Sequence, residues 1–303
     1  MSGRPSQPAH PATARDAGSR GRAPIAVALI GPAAFFVAFF VLVPAGFLLK
    51  QSFTTRAGDF TVAHYGRFFG DSFYLSATLD TLVAGLVVSA ACLVLGFPIG
   101  YSLGRMPAAK RRWRIFIVIL PLTLSVVILV FGWMIVLGRQ GLLNMILVWL
   151  GIFDTPGRFL YTQSAVVILL TQEFLPFMIL SIMSVVTQIN PVLEQAAASL
   201  RANRIKTFTA VIIPLAMPGI LAGLSIVFIL TCTAFIIPRM VGGTRNTMLG
   251  SIVYEQVLVT RNWPFAAAVA FVLLTVTVLS GVLLDRLLKR AFNVDGGARA
   301  RAV

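Results

Sequence analysis

Residues 75–101 read LSATLDTLVAGLVVSAACLVLGFPIGY, a run with a single charged residue that is long enough to cross a lipid bilayer as a helix. A transmembrane helix needs about 20 apolar residues, because the hydrocarbon layer is about 30 Å thick and each helical residue rises about 1.5 Å. The rest of the chain has the same character, since 58% of its 303 residues are apolar and 12% are charged. A soluble domain has roughly 25% charged residues. The sequence therefore predicts an all-α integral membrane protein.

Further apolar runs of similar length predict a six-helix transmembrane bundle. The shorter run at 142–152 cannot cross a bilayer, and its Asn144 and Trp149 predict a helix at the membrane interface. The first span exceeds the apolar core of a signal peptide and has no clear cleavage site, so we expect it to be retained. Cys92 and Cys232 lie inside apolar runs and are expected to be small core residues. The predicted spans are Ile25–Leu49, Leu75–Tyr101, Ile115–Leu137, Ala165–Val186, Met217–Ile237 and Pro264–Leu287.

The basic residues are concentrated on one side of this predicted bundle. Seventeen of the 25 Lys and Arg residues fall in the N-terminal tail, the second loop, the fourth loop and the C-terminal tail. Because cytoplasmic loops are enriched in Lys and Arg, we expect both termini to be cytoplasmic. The predicted organisation is a disordered tail at 1–24, a transmembrane domain at 25–290 and a second tail at 291–303. This distribution accounts for most of the net charge of +15 without a nucleic-acid partner.

A short polar island, EQAAASLRAN at 194–203, separates the fourth and fifth spans. Asn190 is a suitable helix N-cap, and Pro191 suits the first helical turn, where its missing N–H costs little. Glu194 and Arg201 flank a narrow apolar face of this predicted helix. Such a helix either rests on lipid headgroups or docks into the groove of a partner protein. The residues that form the face at helical spacing are Leu193, Ala196, Ala197 and Leu200.

The spacing around this helix resembles the EAA signature of ABC importer permeases. The signature has Glu-Ala-Ala, three residues, Gly, nine residues and then Ile-x-Leu-Pro. This chain has EQAA at 194–197, Arg201 at the glycine position and VIIP at 211–214. Other phrases look like the spermidine/putrescine subgroup of these permeases and cover most of residues 29–220 in order. They are LIGPAAFFVAFFVLVPAGFLLKQSF, FTVAHYGRFF, FPIGYSLGR, FGWMIVLGRQGLLN, LPFMILSIMSVV and IIPLAMPGI.

The resemblance implies the type I ABC importer permease fold, with a coupling helix at about 190–210 that docks onto a separate ATPase dimer. It also implies a second permease subunit, which is either a different chain or a copy of this one, and an extracytoplasmic solute-binding protein in addition to membrane lipid. A polyamine-like cation is the favoured substrate, with opines, phosphonates, other amines and metal complexes as alternatives. The residues that it assigns to ATPase coupling are Glu194, Gln195, Ala196, Ala197, Leu200, Arg201 and Pro214.

Arg201 departs from the family pattern. Glycine at this position permits a sharp left-handed turn, which is costly for other residues. We therefore expect either that the bend moves, for example to Asn203, or that Arg201 makes an additional charged contact with the ATPase.

The chain shows no pattern for chemistry of its own. It lacks the G-x-x-x-x-G-K-[ST] phosphate-binding loop, so ATP is expected to be bound by the partner ATPase. No Ser/His/Asp, Cys/His or metal-ligand grouping is evident, and no catalytic residue, cofactor or metal is expected. A membrane enzyme is accordingly disfavoured, and a pure scaffold would leave Glu173, considered next, unexplained.

Glu173 is the clearest ionisable residue inside a predicted span. An ionised side chain at the centre of a transmembrane helix costs about 2.5–3.5 kcal/mol, so Glu173 and the adjacent Gln172 are candidate substrate-pathway residues. Alternatively, Glu173 is hydrated near the outer end of its helix or is paired with an arginine such as Arg239. The alternative function is a stand-alone ion-coupled secondary transporter in which Glu173 carries a proton.

Overall fold

The computed structural model describes residues 22–243 and 247–291, which are almost entirely helical. The predicted tails, 1–24 and 291–303, lie almost wholly outside this part of the chain. The chain divides into two compact units, residues 1–50 and 51–303. Helix α1 (Arg22–Ser52) provides the described part of the first unit, and phenylalanine rings stack along it. The Phe36 and Phe40 rings, one turn apart, have centroids 4.5 Å from each other.

The second unit is a bundle of long apolar helices joined by short helices and turns. A 3₁₀ turn at Leu120–Thr123 and a π-helical turn at Phe208–Ile212 interrupt the α-helices. The helices are α2 (Ala63–Gly70), α3 (Ser72–Arg105), α4 (Ala108–Ile119), α5 (Val126–Leu137), α6 (Leu142–Trp149), α7 (Gln163–Gln188), α8 (Val192–Ser199), α9 (Arg204–Thr207), α10 (Ile213–Thr233), α11 (Ile236–Val241), α12 (Leu249–Leu258) and α13 (Trp263–Ala291).

Among the described residues, six helical stretches are long and apolar enough to cross a membrane, which confirms the predicted six-span class. All six overlap the predicted spans and extend beyond most of their predicted ends. The fifth begins much earlier than predicted, since it includes α9 and the π turn. The six stretches are Ala34–Ser52, Ser72–Arg105, Val126–Trp149, Gln163–Gln188, Ile205–Thr233 and Trp263–Arg290.

The third stretch differs from the predicted span at 115–137. Pro121 cannot donate to a helical ladder, and the chain passes through the 3₁₀ turn and extended backbone at Leu124 and Ser125 before α5 begins. The stretch instead joins α5 to α6 through a glycine-containing turn. At 12 residues, α5 alone rises about 18 Å, which is too short to cross.

The run at 142–152 was predicted to be an interfacial helix with Asn144 and Trp149 suited to the membrane surface. Trp149 is 83% exposed, but Asn144 is buried. Its amide Nδ2 donates to the carbonyls of Gly138 (2.9 Å) and Gly157 (3.1 Å), and its Oδ1 accepts from the Gly157 N–H at 2.8 Å. Asn144 therefore holds the loop after α6 against the turn before it, and the interfacial interpretation of this side chain was wrong.

Helices α3, α7 and α10 pack against one another at the centre of the second unit. A stripe of glycines spaced four residues apart brings α3 close to α7. A Cβ atom on Gly100 would lie 2.9 Å from the Ile179 carbonyl oxygen, and one on Gly104 would lie 2.6 Å from Val186 Cγ1. Small residues at this spacing allow helix backbones to approach closely, which is how helices associate in a membrane without a hydrophobic driving force.

The two cysteines pack in the interior of this bundle, as the sequence predicts. Both are free thiols and both are buried. The Cys92 Sγ lies 3.5 Å from the Thr171 carbonyl oxygen, and the Cys232 Sγ lies 3.8 Å from the Thr81 carbonyl oxygen. Each thiol thus contacts a neighbouring helix as a small, weakly donating core residue.

Candidate functional site

Helix α8 forms where the capping residues predict it. The Asn190 Oδ1 accepts a 3.0 Å hydrogen bond from the Val192 N–H, and the Asn190 carbonyl accepts from the Leu193 N–H. The Pro191 carbonyl accepts from the Gln195 N–H, which places the proline in the first turn. The predicted N-cap is confirmed, because the side chain of Asn190 satisfies an amide that the helix itself leaves unpaired.

The turn that ends α8 is centred on Arg201, whose φ of 57° lies in the left-handed region. The Ala202 N–H donates to the Ala197 carbonyl at 3.1 Å across this turn, as in the hydrogen-bonded ending that a glycine usually closes. Of our two alternatives for Arg201, the one in which the bend moves to Asn203 was wrong, and an additional contact with the ATPase stays a prediction. The Asn203 Oδ1 instead accepts a 2.7 Å hydrogen bond from the Lys206 N–H and caps α9, a role that its side chain suits.

Residues 192–205 present exposed apolar side chains at one end of the second unit. Leu200 is 84% exposed and Ile205 is 73% exposed, while Val192 and Leu193 are roughly half exposed. We call these four side chains the α8–α9 surface. Of the other predicted coupling residues, Gln195, Ala196 and Arg201 are exposed and Ala197 is partly buried.

Pro214 lies apart from the α8–α9 surface, in the first turn of α10. The π turn immediately precedes it, and the Ile213 N–H donates to the Phe208 carbonyl five residues back. In a regular helix the ring of Pro214 would clash with the carbonyl of Ala210, so a widened turn is a reasonable local solution. Pro214 therefore shapes the entry to α10.

Glu194, which we expected to face a partner, is held within the chain. Its Oε1 forms an ion pair with the Arg105 Nη2, and its Oε2 accepts a 3.0 Å hydrogen bond from the Tyr101 hydroxyl. Arg105 and Glu194 are both largely shielded, with 18% and 27% of their side chains exposed. The C-terminal turn of α3 lies beside α8 and supplies this counter-charge, while the role of Glu194 in ATPase coupling stays a prediction.

Glu173 lies in the interior of α7. It is the eleventh of 26 residues, so it is about 15 Å along the helix axis from the first residue, and only 9% of it is exposed. Its Oε2 has no hydrogen-bond partner among the described residues. Arg239 pairs with Glu255 at 2.9 Å. A position near the end of the helix and pairing with Arg239 are therefore both contradicted.

Gln172, the neighbour of Glu173, is tied to α5. The Trp133 indole Nε1 donates a 2.6 Å hydrogen bond to the Gln172 Oε1. Gln172 and Trp133 are partly buried, so this contact positions an aromatic ring one residue away from the buried carboxylate. Residues 22–243 and 247–291 contain no cluster of three or more His, Cys, Asp and Glu side chains that could hold a metal ion.

Sequence reasoning missed Arg105, Tyr101 and Trp133. Arg105 was counted only as a basic loop residue, and Tyr101 only as the end of a span. Their spacing of four residues at the end of α3 places them on one helix face, and that signal was available. Nothing local links them to Glu194, which lies 93 residues beyond Tyr101 in the chain.

Comparison with known proteins gives consistent results. A family described as "Binding-protein-dependent transport system inner membrane component" matches residues 96–293. The chain is 35% identical over 255 residues to the spermidine/putrescine transport system permease protein PotB of Escherichia coli (strain K12), with 82% of this chain and 91% of the relative covered. It is 33% identical over 269 residues to the protein of the same name in Haemophilus influenzae, with 85% and 93% covered.

Two groups of solved structures share the fold. A bacterial alginate ABC transporter, in complex with an alginate-bound periplasmic protein, superposes with a TM-score of 0.67 at 19% identity. That match covers 89% of this chain and 96% of the other. The MetNI methionine ABC transporter gives a TM-score of 0.52 at 21% identity, with 71% and 95% covered.

Proposed function

The chain belongs to the family of inner membrane components of binding-protein-dependent transport systems, as a multi-pass ABC importer permease subunit, and we propose that it moves a small polyamine-like cation. Two independent observations support the cationic substrate. The relatives at 33–35% identity are named as spermidine/putrescine permeases. The second observation is the buried Glu173, whose Oε2 lacks a hydrogen-bond partner in the described chain.

The burial of Glu173 is the observation on which the substrate proposal chiefly rests. A carboxylate in a low-dielectric interior is costly unless an opposite charge compensates it. A protonated amine passing along the bundle supplies that charge and hydrogen-bond donors together. The Trp133 ring is hydrogen-bonded to Gln172, the residue that precedes Glu173 in α7, and the face of an indole ring attracts cations. The stand-alone ion-coupled transporter has no support from the family to which the chain belongs.

The test measures uptake of radiolabelled spermidine and putrescine by cells of the source organism. In these cells the chromosomal gene is deleted and the gene or its variant is supplied on a plasmid. We expect Glu173→Gln, which keeps the shape and removes the charge, to lower uptake about tenfold or more, since hydrogen bonds to charged groups contribute about 1.5–3 kcal/mol. Asp285→Asn is the control, because Asp285 makes only an i,i+4 ion pair with Lys289 at the far end of α13. Full uptake by the Glu173→Gln variant, at equal abundance in the membrane, would show that Glu173 is not part of the substrate pathway.

The proposed arrangement places the α8–α9 surface in the cytoplasm against an ATPase subunit that binds ATP. The distribution of Lys and Arg supports a cytoplasmic location for this side of the bundle and for both termini. Exposed Leu200 and Ile205 support a docking role, because protein interfaces combine an apolar centre with a polar rim. A second permease subunit and an extracytoplasmic binding protein complete the proposed importer.

Two measurements test this arrangement. We expect Leu200→Ser to lower the amount of ATPase subunit that copurifies from mild detergent, while Val259→Ser, a change at another exposed apolar side chain in the turn after α12, leaves it unchanged. We expect Ser199→Cys on α8 to react with a membrane-impermeant maleimide in inverted vesicles and not in intact cells. The two native cysteines are buried and add little background. Labelling in intact cells would show that the orientation is the opposite of the one proposed.

A further inference from the structure

We propose that Arg105 is a positioning residue that transmits displacement of α8 to α3 and α7. The inference rests on the proposed docking of an ATPase at the α8–α9 surface and adds the route by which that docking acts on the bundle. Helix α8 is attached to the rest of the bundle through side-chain contacts as well as through the continuous backbone at 189–191.

Arg105 contacts the ends of three helices at once. It is the last residue of α3. Its Nη2 forms the ion pair with Glu194 in α8. Its Nη1 donates hydrogen bonds of 2.7 Å to the Ile189 carbonyl and 3.3 Å to the Val186 carbonyl, at the C-terminus of α7. The last carbonyls of a helix lack internal partners and carry partial negative charge, so a guanidinium there both satisfies and neutralises them.

Tyr101 provides a second attachment from the same face of α3. Its hydroxyl donates to the Glu194 Oε2, so both carboxylate oxygens of Glu194 are bound by residues one helical turn apart. A carboxylate held at both oxygens cannot translate or rotate without moving its donors or breaking charged contacts in a partly shielded site. Displacement of α8 is therefore resisted unless α3 follows.

The attachment extends into the bundle through tightly packed contacts. The glycines at 96, 100 and 104 place α3 against α7 with no free space, so these two helices are expected to move together. The Phe208 ring in the π turn packs edge-on against Tyr101 and Phe97, with centroids 5.6 Å and 5.2 Å apart. The same cluster thus reaches the segment that leads into α10, and the three central helices all meet at one point near α8.

The experiment follows motion at two positions in the assembled importer, purified with its ATPase and reconstituted in liposomes. One spin label is placed at Ser199→Cys on α8, and another, in a separate sample, at Ser164→Cys in the first turn of α7. Both positions are exposed, and the native cysteines are buried. Spectra are recorded without nucleotide and after trapping with ATP and vanadate, and therefore do not depend on knowing the transported solute.

We expect both labels to respond to trapping in the otherwise unchanged chain. With Arg105→Gln, we expect the label at 199 to respond as before and the response at 164 to fall severalfold. The exchange Arg105→Glu with Glu194→Arg should restore part of it, since the ion pair re-forms but the Ile189 carbonyl loses its donor. Arg111→Gln is the matched control, because Arg111 is a partly exposed arginine whose side chain makes a 3.4 Å contact with Thr187 Oγ1.

The outcomes separate the two proposals. A full response at 164 in Arg105→Gln overturns the transmission role. Loss of the response at 199 as well makes Arg105 part of the docking itself and also overturns it. No response at either position in the unchanged chain contradicts ATPase docking and removes the basis of the inference. If Arg105→Gln does not fold, Tyr101→Phe keeps the ion pair and removes one bond, and an undiminished response at 164 in that variant would overturn the proposal.

Discussion

The indole Nε1 of Trp133 donates a 2.6 Å hydrogen bond to the side-chain oxygen of Gln172, and this bond joins α5 to α7 beside the buried Glu173. The bond crosses between two apolar helices, and both of its side chains are partly buried. The bond restrains the orientation of the Trp133 ring against α7.

Trp133→Phe keeps the aromatic ring and removes the donor. We expect the free energy of unfolding to fall by about 0.6 kcal/mol, the typical contribution of a side-chain hydrogen bond between membrane helices. Reversible unfolding in mixed micelles with increasing SDS measures the change. The double variant with Gln172→Met should lose less than the sum of the two single variants, because both remove one shared bond. Strict additivity would show that the bond contributes nothing.

Gly100→Ala tests the close approach of α3 to α7. The added Cβ would lie 2.9 Å from the Ile179 carbonyl oxygen, which belongs to the backbone and cannot rotate away. We expect a loss of about 1–3 kcal/mol in the same SDS unfolding assay, as for overpacking elsewhere. Gly132→Ala in α5 is the control, since its Cβ would meet nothing within 4 Å. That change should be neutral or stabilising by up to about 1 kcal/mol.

Arg201→Gly tests the left-handed turn at the end of α8. A left-handed backbone costs an ordinary residue about 1–2 kcal/mol, and glycine avoids this at an entropic cost of about 0.5–1 kcal/mol. We expect slower hydrogen exchange at the Ala202 amide, which bonds to Ala197 across the turn. Ser199→Gly, inside α8, should have the opposite effect on the same amide. Faster exchange in Arg201→Gly would mean that the arginine side chain stabilises the turn by a contact of its own.

Asn144→Ala removes three hydrogen bonds from a buried site. The Gly157 N–H and two carbonyls lose their side-chain partner, and we expect a loss of about 2–4 kcal/mol because buried unsatisfied groups cost about 1–3 kcal/mol each. The loop at 150–161 should also become more sensitive to proteolysis. Gln140→Ala, an exposed change close by, should alter stability by less than about 0.5 kcal/mol. Equal protease resistance in both variants would contradict the role assigned to Asn144.

Features that depend on residues close together in the sequence were predictable from the sequence alone. Length and hydropathy are enough to identify apolar helices, because any backbone crossing hydrocarbon must satisfy its own hydrogen bonds. The start of α8 was likewise predictable, since an N-cap side chain bonds amides two or three residues away. The third span was misplaced because hydropathy does not register the break that Pro121 introduces into an apolar run.

The candidate sites divide along the same line. Several features follow from residues that are close together in the chain, because local hydrogen bonding and burial in lipid decide them. They are the apolar composition of each span, the number of spans, the family signature and the cap at Asn190. The burial of Glu173 and the pairing of Glu194 with Arg105 and Tyr101 are decided only when the helices pack together. The reason is physical: a charge selects its partner by distance in space, and the two residues that bind Glu194 are brought to it by glycine-mediated helix packing far away in the sequence.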